Sequence, residues 1–210
     1  MTDPSVSESE SASGTSSSLL DRARSGSDAG WERLVSLYSP LVYQWCRVGG
    51  LQPSDAENVG QETFIAVARG LGRFRRERQG SFRAWLRRIT RRKLVDHWRR
   101  CSKEIQGAGG SDALAFMSQA PAAADDSQEG SGPEEAGEVA ILYQQAVKLI
   151  QGEFSQRDWV AFRGVVEEEK RPIVVARELG VAVNVVYLAK SRILSRLRQE
   201  FAEVIGESFP

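Results

Sequence analysis

The chain has 210 residues, 41% of them hydrophobic, and its 28 Lys and Arg balance 28 Asp and Glu. That length suits one domain or two small ones, and no apolar run approaches the roughly 20 residues that span a bilayer. One histidine (His97), two distant cysteines (Cys46 and Cys101), no phosphate-cradling glycine loop and no carboxylate pair argue against an enzyme or a metal protein. No cofactor is expected, and both thiols are expected to be reduced in a cytoplasmic protein.

Composition divides the chain into four parts. Residues 1–18 hold eight serines and neither Lys nor Arg, which reads as a disordered tail and not as a secretory signal. Residues 19–103 carry helical periodicity. Residues 104–138 hold eight acidic residues and no basic one among Gly, Ala, Ser and Pro, the signature of a flexible acidic linker. Residues 139–210 return to helical periodicity. The expected fold is all-α: two small helical domains on a tether, the second a helix-turn-helix.

In the first domain Trp31, Leu34, Val35, Tyr38, Leu41, Val42 and Trp45 recur at three- and four-residue steps, one apolar helix face. Pro40 is expected to break or kink that helix near Ser39. A second helix is expected from Pro53, with Ser54 and Glu57 at capping-box spacing and Ala56, Val59, Thr63, Phe64, Val67 and Leu71 facing inward. Residues 72–80 read as a loop, with glycine at each end and five charges between. Ser81 is a good N-cap for a third helix that buries Phe82, Trp85, Leu86 and Ile89, then Leu94 or Val95.

Charge is segregated here. Residues 69–103 carry fourteen Lys or Arg against two acidic residues, half the positive charge in one sixth of the chain, with Phe74, Phe82, Trp85 and Trp98 set among them. Cations for phosphates beside flat rings for unstacked bases suit single-stranded or melted nucleic acid. Phe82 and Trp85, at helical spacing with Ile89, read as core; Trp98 suits either role.

In the second domain a helix over residues 139–154 and another after Ser155, burying Trp159, Phe162 and Val166, precede residues 171–198. There Pro172 suits a first helical turn, Gly180 a left-handed turn, and a longer helix begins at Ala182 or Val183. Small or apolar Val175, Ala176, Gly180, Val181 and Val186 fall where two crossed helices meet. This is a helix-turn-helix pattern.

Both halves resemble one family, the extracytoplasmic-function sigma factors of the bacterial sigma-70 family. Residues 55–64 (DAENVGQETF) are similar to its polymerase-docking helix, residues 72–89 to its promoter-melting segment, residues 96–100 (DHWRR) to the end of its promoter-reading helix, and residues 171–198 to its second-domain reader. The chain departs from the family at Arg92, where Asn is common, and at Ala182, where Ser or Thr is usual.

The resemblance implies partners and roles: core RNA polymerase, promoter DNA as duplex and as melted strand, and control by an inhibitory anti-sigma protein, with no membrane insertion. Polymerase docking falls to Asp55, Glu57, Gln61, Glu62 and Phe64. Minus-ten recognition and melting fall to Phe74, Arg75, Arg76, Arg78, Ser81, Arg83, Arg87, Arg88, Arg91, Arg92, Lys93 and Trp98. Minus-thirty-five reading falls to Asn184, Tyr187, Lys190 and Ser191, with Arg171, Arg177, Arg192 and Arg196 on phosphates. A flexible linker of this length reaches ~30–35 Å, about one turn of duplex, and its acidity fits a nucleic-acid mimic in a basic polymerase channel. A stand-alone helix-turn-helix regulator or a sequence-tolerant RNA-binding protein are the alternatives.

Overall fold

The computed structural model describes residues 19–75, 81–107 and 133–205. Among them every regular element is helical: α1 (Leu19–Arg24), α2 (Asp28–Val48), α3 (Pro53–Gly70), a 3-10 turn (Leu71–Arg73), α4 (Phe82–Gly107), α5 (Pro133–Ile150), a second 3-10 turn (Gln151–Glu153), α6 (Gln156–Val166), α7 (Pro172–Leu179) and α8 (Val183–Ile205). The all-α expectation holds.

Local chemistry sets most of the helix starts. Ser27 caps α2 by accepting from Gly30 N at 3.1 Å. Ser81 caps α4 through Ala84 N at 3.2 Å, and Ser155 caps α6 through Asp158 N at 3.2 Å. α3 starts differently from the capping-box expectation. Its cap position is Gln52, with no side-chain hydrogen bond, and Ser54 lies inside the first turn. Pro53 at the first helical position explains the shift, because it lacks the N–H that a cap would satisfy.

Pro40 does not end its helix. α2 runs from Asp28 to Val48 through it, because Leu34, Leu37, Tyr38, Leu41, Val42 and Cys46 on both sides of the proline are buried in the same core. Tertiary packing outweighs the single lost backbone bond. The side chain of Ser39 turns back to donate to Val35 O at 2.7 Å. Burial pushes the Cys46 thiol up to about 11 and holds the Tyr38 hydroxyl well above its ordinary value, the charge of Arg83 opposing the latter.

The tethered-domain expectation is revised where the halves meet. Leu142, Ala146 and Ile150 of α5, Trp159 and Phe162 of α6, and Ile193, Leu197 and Phe201 of α8 join the same buried cluster as Leu34, Leu41, Phe82 and Leu86. α5 lies along α2, and α1 touches α8. The helices also extend past the expected linker bounds: α4 continues to Gly107, and α5 begins at Pro133, six residues before the expected start. Glu138, assigned by sequence to the linker, is a buried residue of α5.

A smaller core of Ala161, Val175, Ala176, Val186 and Ala189 holds α7 against α6 and α8. Gly180 ends α7 in the left-handed region, φ 64°, and Val181 N donates to Ala176 O at 3.0 Å to close the turn. The chain then turns by 109° into α8, within the range of a helix-turn-helix. Among the described residues no single helix is long and apolar enough to cross a membrane.

Candidate nucleic-acid interface

α4 has two faces. Phe82, Leu86 and Thr90 are buried, and Ile89, Leu94 and Trp98 lean on the core from its edge. Arg87, Arg92, Arg99 and Arg100 are exposed, while Arg83, Arg88, Arg91 and Lys93 are half-buried. A helix with so many cations survives because its inner face is apolar and several of the cations find carboxylates.

The aromatics sort mostly toward structure. Phe74, expected to help hold a flipped base, is 2% exposed and sits 5.6 Å from Phe82 and 5.0 Å from Trp85, centroid to centroid. It closes the core at the end of the first 3-10 turn, so its ring is not presented to a base. Trp85 and Phe82 belong to the same cluster, as their helical spacing implied. Trp98 is half-buried beside His97, their rings 5.7 Å apart. Arg75 is exposed and donates to Gly72 O and Phe74 O at 3.0 and 2.9 Å. The Ser81 hydroxyl serves the cap of α4. Arg76 and Arg78 lie outside the described residues.

On α3, Glu57 and Gln61 are exposed and Asp55 is half-buried. Glu62 instead turns toward α4, 2.9 Å from Arg100 and 3.6 Å from Lys93. The hydrogen bond from Arg100, with the charges of Arg100 and Lys93, holds its carboxyl below the ordinary range against a weaker opposing effect of burial. Asp96, Arg99 and Arg100 join Glu62 and Lys93 around a shallow cavity of about 330 Å³. Phe64 is half-buried, edge-on to Trp31 at 6.4 Å. Ile65 beside it is 52% exposed. Sequence periodicity passed over Ile65, although it lies four residues after Gln61 on the outward face.

In the second half, Asn184, Tyr187 and Ser191 share the outward face of α8, at three- and four-residue steps, and Lys190 is half-buried beside them. Arg171, Arg177 and Arg192 are exposed. Arg196 is not on that open surface: Glu153 binds it at 2.5 and 3.0 Å. Val186, Ala189, Ile193 and Leu197 turn inward, as core residues.

Two acidic residues from the second half therefore meet arginines of the first. Glu153 reaches Arg33 of α2 at 3.4 Å. Glu138 accepts from Trp45 Nε1 at 2.7 Å and lies 3.3 Å from Arg87 and 3.8 Å from Arg83. Sequence reasoning missed both: Glu138 carries no mark of burial within an acidic stretch, and the reach of Glu153 to a distant helix is not a local feature.

Residues 34–104, from the second turn of α2 to near the end of α4, match the family model for sigma-70 region 2. That third of the chain is similar to sigma-70 family proteins. The chain is 36% identical over 83 residues to the ECF RNA polymerase sigma factor BldN of Streptomyces coelicolor, covering 39% of this chain and 30% of that protein. It is 36% identical over 84 residues to the ECF RNA polymerase sigma factor SigF of Caulobacter vibrioides, 39% of this chain and 45% of that protein. With the RNA polymerase sigma factor CnrH of Cupriavidus metallidurans the figures are 35% over 81 residues, 39% and 41%. The matches thus span less than half the length of these relatives. A solved structure of CnrH in complex with the cytosolic domain of CnrY covers 85% of this chain and 92% of that chain at 21% identity and a TM-score of 0.35, too low for any arrangement to be carried over. The sigma-70 match ends at residue 104 and so does not extend to α5, α6, α7 or α8.

Proposed function

We propose that this chain is a transcription initiation factor that binds core RNA polymerase and directs it to specific promoters, with no catalytic step of its own. The observation that carries the reading is α4: a 26-residue basic helix on an apolar footing, all but its last three residues within the stretch that matches sigma-70 region 2. Exposed Arg87, Arg92, Arg99 and Arg100 supply sequence-independent attraction to phosphates. Melting of the minus-ten element falls to this helix and the segment before it, with Arg75, Arg76, Arg78, Arg88, Arg91 and Lys93 along the strand. Trp98, half-buried on the same helix, is the ring offered to the strand.

Docking on polymerase uses the outer face of α3, where Glu57, Gln61 and the exposed Ile65 recur at four-residue steps after Asp55, polar groups running up to an apolar contact. Minus-thirty-five reading uses α8 in the major groove. Asn184, Tyr187 and Ser191 meet base edges, while Arg171, Arg177 and Arg192 hold phosphates. The chain acts in the cytoplasm, where its polymerase partner is, and an anti-sigma protein is a fitting inhibitor. A stand-alone helix-turn-helix regulator would leave α3 and the basic helix without a task.

The test is transcription by purified core polymerase from a promoter library, with and without the full chain. Selective initiation that requires the chain is expected, and it yields both promoter elements at once. Failure to bind core or to confer any promoter preference sinks the reading.

A further inference from the structure

Glu138 is 6% exposed, yet it carries a carboxylate that needs partners in that environment. It finds three, on two elements of the other half. One oxygen accepts from Trp45 Nε1 at 2.7 Å and lies 3.3 Å from Arg87 Nη1; the other lies 3.8 Å from Arg83 Nε. The Arg87 guanidinium also lies over the Trp45 ring, 5.9 Å from its centroid. An indole N–H, two guanidinium groups and an aromatic plane recognise a planar oxyanion; the same set recognises a phosphodiester with a base beside it.

We infer, on the nucleic-acid-binding reading above, that Trp45, Arg83 and Arg87 form a phosphate-binding subsite for single-stranded DNA, and that Glu138 is its built-in competitor. The carboxylate occupies the place of a backbone phosphate, so strand binding at this subsite requires α5 to withdraw Glu138 from α2 and α4. The second contact between the halves, Glu153 with Arg33, works in the same sense, since it also joins an acid of the C-terminal half to an arginine of the N-terminal half. Trp45 lies on α2, away from the residues that charge patterning selects, and its ring is half-buried in place by the core.

Affinity measured on the whole chain is then the subsite's own affinity reduced by the fraction of molecules in which Glu138 has left. With a minor open state of about 1–10%, removing the competitor's charge tightens binding by roughly tenfold or more. The experiment is fluorescence anisotropy of a labelled single-stranded oligodeoxynucleotide with the full chain, in a double-mutant cycle. Glu138→Gln keeps side-chain shape and an acceptor for Trp45; it is expected to bind about tenfold tighter. In an Arg87→Gln background the same change is expected to give little or no gain. Glu138→Asp, which retracts the carboxylate by one methylene, gives a smaller gain and stands in should the Gln variant not fold by circular dichroism.

Unchanged affinity in these variants overturns the subsite, as does a gain that persists in full without Arg87, or a chain that binds no oligonucleotide in any form. The functional reading fails separately. A chain that shows the Arg87-dependent gain but never directs polymerase keeps the subsite and loses the initiation role. One that directs polymerase but shows no gain keeps the role and loses the subsite.

Discussion

Glu153 grips Arg196 through both carboxylate oxygens, at 2.5 and 3.0 Å, across 43 positions of sequence. The pair ties the second 3-10 turn to α8, and Arg33 extends it to α2. Burial alone would raise the Glu153 carboxyl, but the hydrogen bond and charge of Arg196, with Arg33 helping, overcome it and hold the group below the ordinary range.

A depressed carboxyl stabilises the fold above its unfolded pKa, about 4.3, and that contribution is lost as pH falls through the folded value. Glu153→Gln therefore lowers the thermal midpoint at neutral pH. The loss is no more than ~1 kcal/mol, because the carboxylate is a third exposed and screened by solvent. Melting curves of both proteins at several pH values check this. The gap must narrow toward acid; a gap independent of pH removes the ion pair as its cause.

Phe74 gives a sharper contrast. If its ring serves the core, Phe74→Ala costs ~3–5 kcal/mol of folding stability by urea titration. A variant that unfolds like the parent yet binds melted DNA poorly would return the ring to the base-holding role.

Two turn residues predict opposite outcomes. Gly180 has φ 64° and open space where a Cβ would go, so Gly180→Ala meets only the backbone penalty. That penalty is ~1–2 kcal/mol. Glu169 has φ 51° without being glycine. Relief of similar strain, set against the ~0.5–1 kcal/mol entropy that glycine loses on folding, leaves Glu169→Gly neutral or stabilising by up to about 1 kcal/mol. Paired denaturation curves decide; destabilisation by the glycine would show that the Glu169 side chain contributes more than its backbone costs.

On the proposed minus-thirty-five face, Asn184→Ala is expected to cost ~1–3 kcal/mol against the preferred promoter and to relax the choice at one base pair. Arg192→Ala should instead weaken all sequences alike and reduce the salt slope by about 1. Binding titrations over a promoter library at two salt concentrations separate these. Uniform loss from Asn184→Ala would make it a backbone contact.

What could be read from sequence was what is decided within a few residues. Ser81 and Ser155 announce their helices because a hydroxyl three positions before a free N–H is a local fact. Pro172 and Gly180 bracket α7 for equally local reasons. Ser54 failed as a cap because its neighbour Pro53 already occupies the first turn, a competition between two local rules. Phe74 and Glu138 were misread for another reason: burial depends on which distant helices arrive. A phenylalanine among arginines looks like a base platform until Phe82 and Trp85 surround it. Glu138 looks like one more linker acid until Trp45 donates to it. The basic stripe was legible as a whole, but which cations are already engaged was not.

The core that runs from Leu34 through Ile150 to Leu197 has one more consequence. Its described residues come from both sides of residues 108–132. After a single proteolytic cut in that stretch, the two fragments should leave a sizing column together and part only when the apolar surface of α5 is stripped from α2.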